Sequence, residues 1–204
     1  MTELYDGVTQ ENWLEELEKT RLDNRKYLYA LWALSGTPGS MLDVGCGSGD
    51  LVMRSRQLGI TAFGVDQIDL SDKIYYDPGW YSQHDLRSPF NLRSIDGAPS
   101  TVDIVLCWEV AEHIPEKSHE ILCDTCANHL HRGSYSRLIF TAAHPGQGGT
   151  EHISGRTAIY WRDMFHARGL NFLPKQTSDL SLMWKIIPGA CYWLAANVQV
   201  FERG

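Results

Sequence analysis

The chain has 204 residues, 43% of them hydrophobic, and a formal net charge of −7. That size suits one domain with a full apolar core, and the acidic balance offers no long-range attraction to nucleic acid or to an anionic membrane. No apolar stretch reaches the ~18 residues of a membrane span. The start, Met1-Thr2-Glu3-Leu4-Tyr5-Asp6, lacks the basic and apolar regions of a secretion signal. Five cysteines, an odd number, fall in expected strands and helices rather than in a disulfide framework, which points to a reducing, cytoplasmic setting.

Residues 10–34 carry an interrupted apolar stripe, Trp13, Leu14, Leu17, Leu28, Leu31 and Trp32, with Glu15, Glu16, Glu18 and Lys19 opposite. This spacing predicts a long helix, broken by Gly36-Thr37-Pro38-Gly39. A strand is expected at 41–45, a helix at 49–58 and a strand at 61–66. The stretch 67–82 is aromatic, with Tyr75, Tyr76, Trp80 and Tyr81 around Pro78 and Gly79, and has no helical period; it reads as a loop. A short strand at 82–85 and a polar connection at 87–101 follow. Val102-Asp103-Ile104-Val105-Leu106-Cys107 reads as a buried strand. A helix is expected at 116–131, a strand at 137–143, a glycine-rich loop after it, a helix at 157–168, and final strands at 170–174 and 193–201. Strands alternating with helices until the last two predict a mostly parallel sheet with an antiparallel edge. No linker divides the chain: residues 1–204 read as one domain, with 1–36 as an N-terminal helical extension and 40–201 as the α/β core.

The most informative segment is Met41-Leu42-Asp43-Val44-Gly45-Cys46-Gly47-Ser48-Gly49-Asp50, followed by Val65-Asp66. An apolar strand enters a glycine-rich turn, and 21 positions after Gly45 the next strand ends on a carboxylate. This is the spacing of a nucleotide-binding βαβ unit whose acidic residue reaches a ribose diol. Asp43 and Asp50 flank the glycines, so the turn suits a ligand carrying an amine and a sulfonium better than one carrying phosphates.

The pattern D-V-G-C-G-S-G resembles the first motif of class I S-adenosylmethionine-dependent methyltransferases, and the resemblance extends over about residues 40–201. It implies a single Rossmann-like α/β domain, with a mostly parallel seven-stranded sheet, an antiparallel edge strand and helices on both faces. It also implies S-adenosylmethionine as cofactor. Asp43, Gly45, Cys46, Gly47 and Gly49 would then surround the amino-acid end of the cofactor and Asp66 the ribose. Asp85 would meet the adenine amino group with Leu86 beside the ring, and Cys107 and Trp108 would line the floor near the methyl group.

A second cluster is Trp108-Glu109-Val110-Ala111-Glu112-His113-Ile114-Pro115, at the end of the fourth strand of the core. Two readings stand for it. In one, Glu112 and His113 shape the loop and place the acceptor. In the other, Glu109, Glu112, His113 and a later histidine hold Mg²⁺ or Mn²⁺, since two carboxylates and imidazoles suit such ions. The Glu-x-x-Glu-His group resembles that of small-RNA 3′-end 2′-O-methyltransferases and of ubiquinone-pathway O-methyltransferases, where a further histidine completes the metal site. His152, in Gly149-Thr150-Glu151-His152, is preferred for that place over His144, which follows the fifth strand directly.

A hydroxyl is a poor nucleophile until it is deprotonated, so histidines at the reacting edge point to O-methylation of a small-molecule or sugar hydroxyl, with His113, Glu112, His152 and His144 as candidate catalytic residues. The alternatives are metal-assisted RNA 2′-O-methylation, which the acidic charge disfavours, and a non-catalytic cofactor-binding regulatory module. Tyr75, Tyr76, Trp80, Tyr81 and Trp108 are the aromatic candidates for acceptor contacts. Cys123-x-x-Cys126-x-x-His129-x-His131 imitates a zinc signature, but its spacing follows one helix face without a partner cysteine pair, so it reads as packing.

Overall fold

A computed structural model describes residues 3–5, 8–9, 25–69, 77 and 79–204. The expected helix at 10–34 lies outside the described residues over 10–24, as do Tyr75 and Tyr76. Its remainder is α1, Arg25–Ser35, which buries Tyr27, Leu28 and Leu31. Before it, two short strands, β1 (Glu3–Tyr5) and β2 (Val8–Thr9), pair antiparallel with each other.

The core elements are β3 (Ser40–Val44), α2 (Asp50–Gln57), β4 (Thr61–Asp66), β5 (Tyr81–Gln83), β6 (Ile104–Trp108), α3 (His119–His129) and β7 (Arg137–Thr141). They continue with α4 (Ala158–His166), β8 (Leu170–Phe172), α5 (Pro174–Lys185), α6 (Tyr192–Asn197) and β9 (Gln199–Arg203). Seven strands form one sheet in the order β5-β4-β3-β6-β7-β9-β8. The pairs from β5 to β7 are parallel, and β9 runs antiparallel to both β7 and β8, so the antiparallel pairing falls at one side of the sheet, as the sequence pattern predicts. The central strands read as continuous apolar runs because helices cover both faces: Met41, Leu42, Val44, Ile104, Val105, Leu106, Leu138, Ile139 and Phe140 are all buried.

The chain departs from expectation in its last quarter. Pro174–Lys185 is a helix that the sequence reading leaves unassigned, although Pro174 stands at its first turn, where proline is at home. Only Leu180 and Trp184 of this helix are buried, too narrow an apolar stripe to stand out as a period. The stretch 193–201 is not one strand. Tyr192–Asn197 is a short helix and the strand begins at Gln199. The apolar run from Tyr192 to Ala196 has the composition of a buried strand, and only its packing against α5 makes it helical. No helix among the described residues is long and apolar enough to cross a membrane.

The starts of β3 and β6 are tied by one carboxylate. Asp103 Oδ2 accepts hydrogen bonds from the backbone N–H of Gly39 (2.9 Å) and Ser40 (3.0 Å) and from the Ser40 hydroxyl (3.1 Å). This sets β3 beside β6 in the register Met41↔Ile104, which in turn aligns their carboxyl ends. Asp103→Ala removes a charged acceptor from three donors and is expected to lower unfolding free energy by about 2–3 kcal/mol in urea titration. Ligand affinity at the opposite end of the sheet should stay unchanged.

Candidate active site

The carboxyl ends of β3, β4 and β6 open into a cavity lined by Gly45, Gly47, Asp66, Gln67, Asp85, Leu86, Arg87, Trp108, Glu109, Val110, His113 and Ile114. Ligands of open α/β sheets are expected at this place, where strand order reverses between β3 and β6.

The glycine turn follows from steric demands. Gly45 has φ +78°, and a Cβ there would come within 2.3 Å of Val110 Cγ2. Glycine is therefore required twice over, by its backbone angle and by the close approach of the segment after β6. The Gly47 N–H donates to Asp66 Oδ2 at 2.8 Å, and the Ile68 N–H donates to Asp66 Oδ1 at 3.2 Å. Desolvation still outweighs these bonds and pushes the Asp66 carboxyl up to about 6.

Asp43 is buried deeper, with Oδ2 lacking any hydrogen-bond donor. Desolvation, with repulsion from Asp66 and Asp50, pushes its carboxyl up to about 8. Two buried acids with elevated pKa beside a cavity form a seat that a cationic ligand would relieve.

Asp85 and Leu86 line the same cavity. The Arg87 guanidinium grips Asp85 with Nε–Oδ1 and Nη2–Oδ2 distances both of 2.8 Å, and this pairing holds the Asp85 carboxyl below its ordinary range. Arg87 and Gln67, which the sequence reading did not single out, line the same wall. Each stands within two residues of an acidic residue that it did single out, and that adjacency is the one signal for them.

Of the residues the resemblance assigns to the cofactor, Asp43, Cys46, Gly49 and Cys107 are not among the lining residues. Cys46 and Cys107 are buried. The side chains of Cys107 and Cys126 of α3 share a hydrogen bond, because alternate residues of β6 face opposite sides of the sheet and Trp108 takes the cavity side. A role for Cys107 at the cavity floor is thus corrected to a core contact. Trp80 and Tyr81 are likewise buried. Trp80 lies under Arg56 at 5.6 Å, and the Tyr81 hydroxyl donates to the backbone carbonyl of Ile68, so neither is an acceptor contact. The Cys123–Cys126–His129 series is structural: His129 Nε2 accepts from the Leu92 N–H at 3.0 Å, and its Nδ1 donates to the Thr125 carbonyl at 2.7 Å.

Beside the cavity, the segment after β6 meets the loop after β7. Glu109 adopts φ +53°, a left-handed conformation that costs a non-glycine residue energy, while its N–H is held by Thr141 through both carbonyl (3.1 Å) and hydroxyl (2.9 Å). The Glu112 carbonyl accepts from the N–H groups of Ile153 (2.9 Å) and Ser154 (3.1 Å), which stitches the two segments together. As a result, ligand atoms of Glu112, His113 and His152 all lie within 4.8 Å of one another.

The His113 ring faces the Glu151 carbonyl through Nδ1 (3.0 Å), and the His152 ring faces the Gln147 carbonyl through Nδ1 (3.1 Å). A carbonyl only accepts, so each Nδ1 carries the proton and each Nε2 presents a lone pair. Burial, against the bond to Glu151 and with repulsion from His152, lowers His113 to about 4. Burial and repulsion from Glu109, with which it shares a hydrogen bond, raise Glu112 to about 8. Glu112 Oε1 accepts from the Ala143 N–H (3.2 Å) and lies 3.9 Å from His152 Nε2. Gly149 lies against the imidazole of His152: a Cβ there would stand 2.2 Å from the ring.

Of the residues expected from sequence, Glu109, Glu112, His113 and His152 thus come together. His144 contributes its backbone, its carbonyl accepting from the Gln147 N–H at 3.0 Å and its own N–H donating to Gln147 Oε1 at 3.4 Å. This is the turn-shaping role.

The strand order, the glycine turn and the acidic second strand define a class I S-adenosylmethionine-dependent methyltransferase. The family model described as "Methyltransferase domain" matches residues 14–176, and the chain belongs to that family. Solved structures with the same fold include three methyltransferases. A TehB-like S-adenosylmethionine-dependent methyltransferase from Corynebacterium glutamicum has a TM-score of 0.63 and 15% identity, covering 96% of this chain and 98% of that one. The O-methyltransferase of a trans-AT polyketide synthase from Brevibacillus brevis, bound to S-adenosylhomocysteine, has a TM-score of 0.58 and 14% identity, covering 98% and 81%. Magnesium protoporphyrin IX methyltransferase from Synechocystis PCC 6803, bound to S-adenosylmethionine, has a TM-score of 0.57 and 16% identity, covering 98% and 87%. A comparison with curated proteins finds no match.

Asp43 gives this half of the site a testable pH signature. Its pKa is raised in the folded state, so its stabilising contribution is fully present below about pH 4 and is lost as pH rises through about 8. Asp43→Asn lacks this loss. The variant is expected to gain stability relative to wild type as pH increases, by about 2 kcal/mol between pH 6 and 8.5 in paired denaturation curves. The same variant should bind S-adenosylmethionine at least about tenfold more weakly. Wild-type binding should release protons at pH 7, read by calorimetry in buffers of different ionisation enthalpy.

Proposed function

We propose that the enzyme methylates a hydroxyl oxygen of a small-molecule or sugar acceptor. The observation that carries this reading is the convergence of Glu112, His113 and His152 at the carboxyl edge of the sheet, with His113 lining the cofactor cavity. S-adenosylmethionine supplies an electrophilic methyl group. Asp43, Asp66 and the glycine turn bind and orient it, and Trp108 and Val110 close the cavity wall.

His113 stays neutral through the working pH range because its pKa is near 4, so its Nε2 serves as a hydrogen-bond acceptor. His152 Nε2 is the base. It takes the acceptor's proton as the oxygen–carbon bond forms and the carbon–sulfur bond breaks, with the electron pair moving to sulfur. Glu112 faces the resulting imidazolium. Stitching of the 151–154 segment to Glu112 holds these groups in place before the acceptor arrives.

A second reading is favoured by one specific observation: the same three side chains are spaced to share a divalent cation, and Glu109 leans on Glu112. Nδ1 bonds to backbone carbonyls are the usual means of orienting metal-binding imidazoles. Mg²⁺ or Mn²⁺ would be held by Glu109, Glu112, His113 and His152 and would lower the pKa of the acceptor hydroxyl.

Methyl transfer from labelled S-adenosylmethionine to a panel of phenols, sugars and aliphatic alcohols tests both readings. His152→Gln is expected to lose about two to four orders of magnitude in turnover with cofactor affinity unchanged. If histidine acts alone, excess chelator changes nothing. If a cation acts, chelator abolishes turnover, manganese restores it, and Glu112→Gln loses manganese binding. Transfer to amines or carbon acids in preference to every hydroxyl tried would overturn O-methylation.

A further inference from the structure

Asn197 is the last residue of α6, 50 positions from Gln147 and 88 from Glu109, and it is buried. Its Nδ2 donates to Glu109 Oε1 at 3.3 Å and to Gln147 Oε1 at 3.2 Å. Both partners there are oxygens, and reversing the amide would set Oδ1 against two acceptors, so the orientation follows from chemistry. The Gln147 backbone carbonyl in turn accepts from His152 Nδ1, and His152 Nε2 stands opposite Glu112. One carboxamide thus connects the end of β6, the loop after β7 and the catalytic imidazole. Asn197 Oδ1 is itself buried and accepts no hydrogen bond from the described residues.

We propose that Asn197 is a positioning residue: by bridging Glu109 and Gln147 it fixes the loop whose carbonyl selects the Nδ1–H tautomer of His152. The role rests on the reading of His152 as the base, because the tautomer decides whether Nε2 presents a lone pair or a proton to the acceptor. With the bridge cut, the Gln147 carbonyl is no longer held against the ring and Nε2–H becomes populated. A base of the wrong tautomer cannot take a proton even with every other group in place.

The experiment is long-range ¹H–¹⁵N NMR of the histidine rings in the full chain at one fixed pH, with no acceptor needed. Wild type is expected to show His152 as the Nδ1–H form. Asn197→Asp keeps the shape but loses the N–H donors and repels Glu109, and Asn197→Leu removes both polar atoms. In each, His152 is expected to lose the Nδ1–H form as its dominant tautomer. His119 and His129, which are buried elsewhere with their own partners, should keep their wild-type signals and so report an intact fold. If either variant fails to fold by that criterion, Gln147→Leu cuts the same bridge from the half-buried loop side and is expected to give the same loss. An unchanged His152 tautomer in folded variants would overturn the proposal. Loss of the lock in a protein that methylates no hydroxyl would leave the positioning role standing and sink the O-methylation reading instead.

Discussion

The site is organised around acidic groups held out of water. Asp43, Asp66 and Glu112 all stand at the carboxyl edge of one parallel sheet, and burial drives each toward its neutral form. A fold tolerates this only where backbone donors offset part of the cost, and those donors come from the turns that shape the cavity: Gly47 and Ile68 to Asp66, Ala143 to Glu112. What the backbone leaves unmet is a demand for positive charge and for hydrogen-bond donors. The sulfonium and amine of S-adenosylmethionine suit that demand.

The two ends are joined by the segment after β6. Val110 packs so closely on Gly45 that no side chain fits between them, while Glu109, one residue earlier, reaches the amide of Asn197. The glycine turn and the Glu112–His113–His152 cluster are therefore braced by adjacent residues of one short segment. The strained φ of Glu109 is the local cost of turning the chain sharply enough to do both. The loop after β7 completes the enclosure, stitched by Ser154 and Ile153 to the Glu112 carbonyl. Its tip, around Gly146 to Gly149, lies outside that stitching and is held through Gln147.

The glycine turn and the acids around it were legible because they are contiguous. Asp43, Gly45, Gly47, Gly49 and Asp66 lie within 24 positions of each other and belong to one βαβ unit whose spacing is dictated by helix and strand length. The Glu-x-x-Glu-His segment was legible for the same reason, and His152 followed from the sheet edge on which its loop must lie. Cys107 and Trp108 show the limit of such reading. Both end the same strand, and the pleat alone decides that Trp108 faces the cavity and Cys107 the core.

Composition and pattern determined by themselves the class of fold, the parallel sheet, the glycine turn and the acidic residues around it, because each depends on neighbours in the chain. They did not determine that 174–185 is helical, that 192–197 is helix rather than strand, or that Asn197 would meet Glu109 and Gln147. Those outcomes depend on packing between elements distant in sequence. A short apolar run takes the conformation that its tertiary neighbours reward, and an amide finds its partners only after β9 has slipped between β7 and β8 and brought the end of α6 over the site.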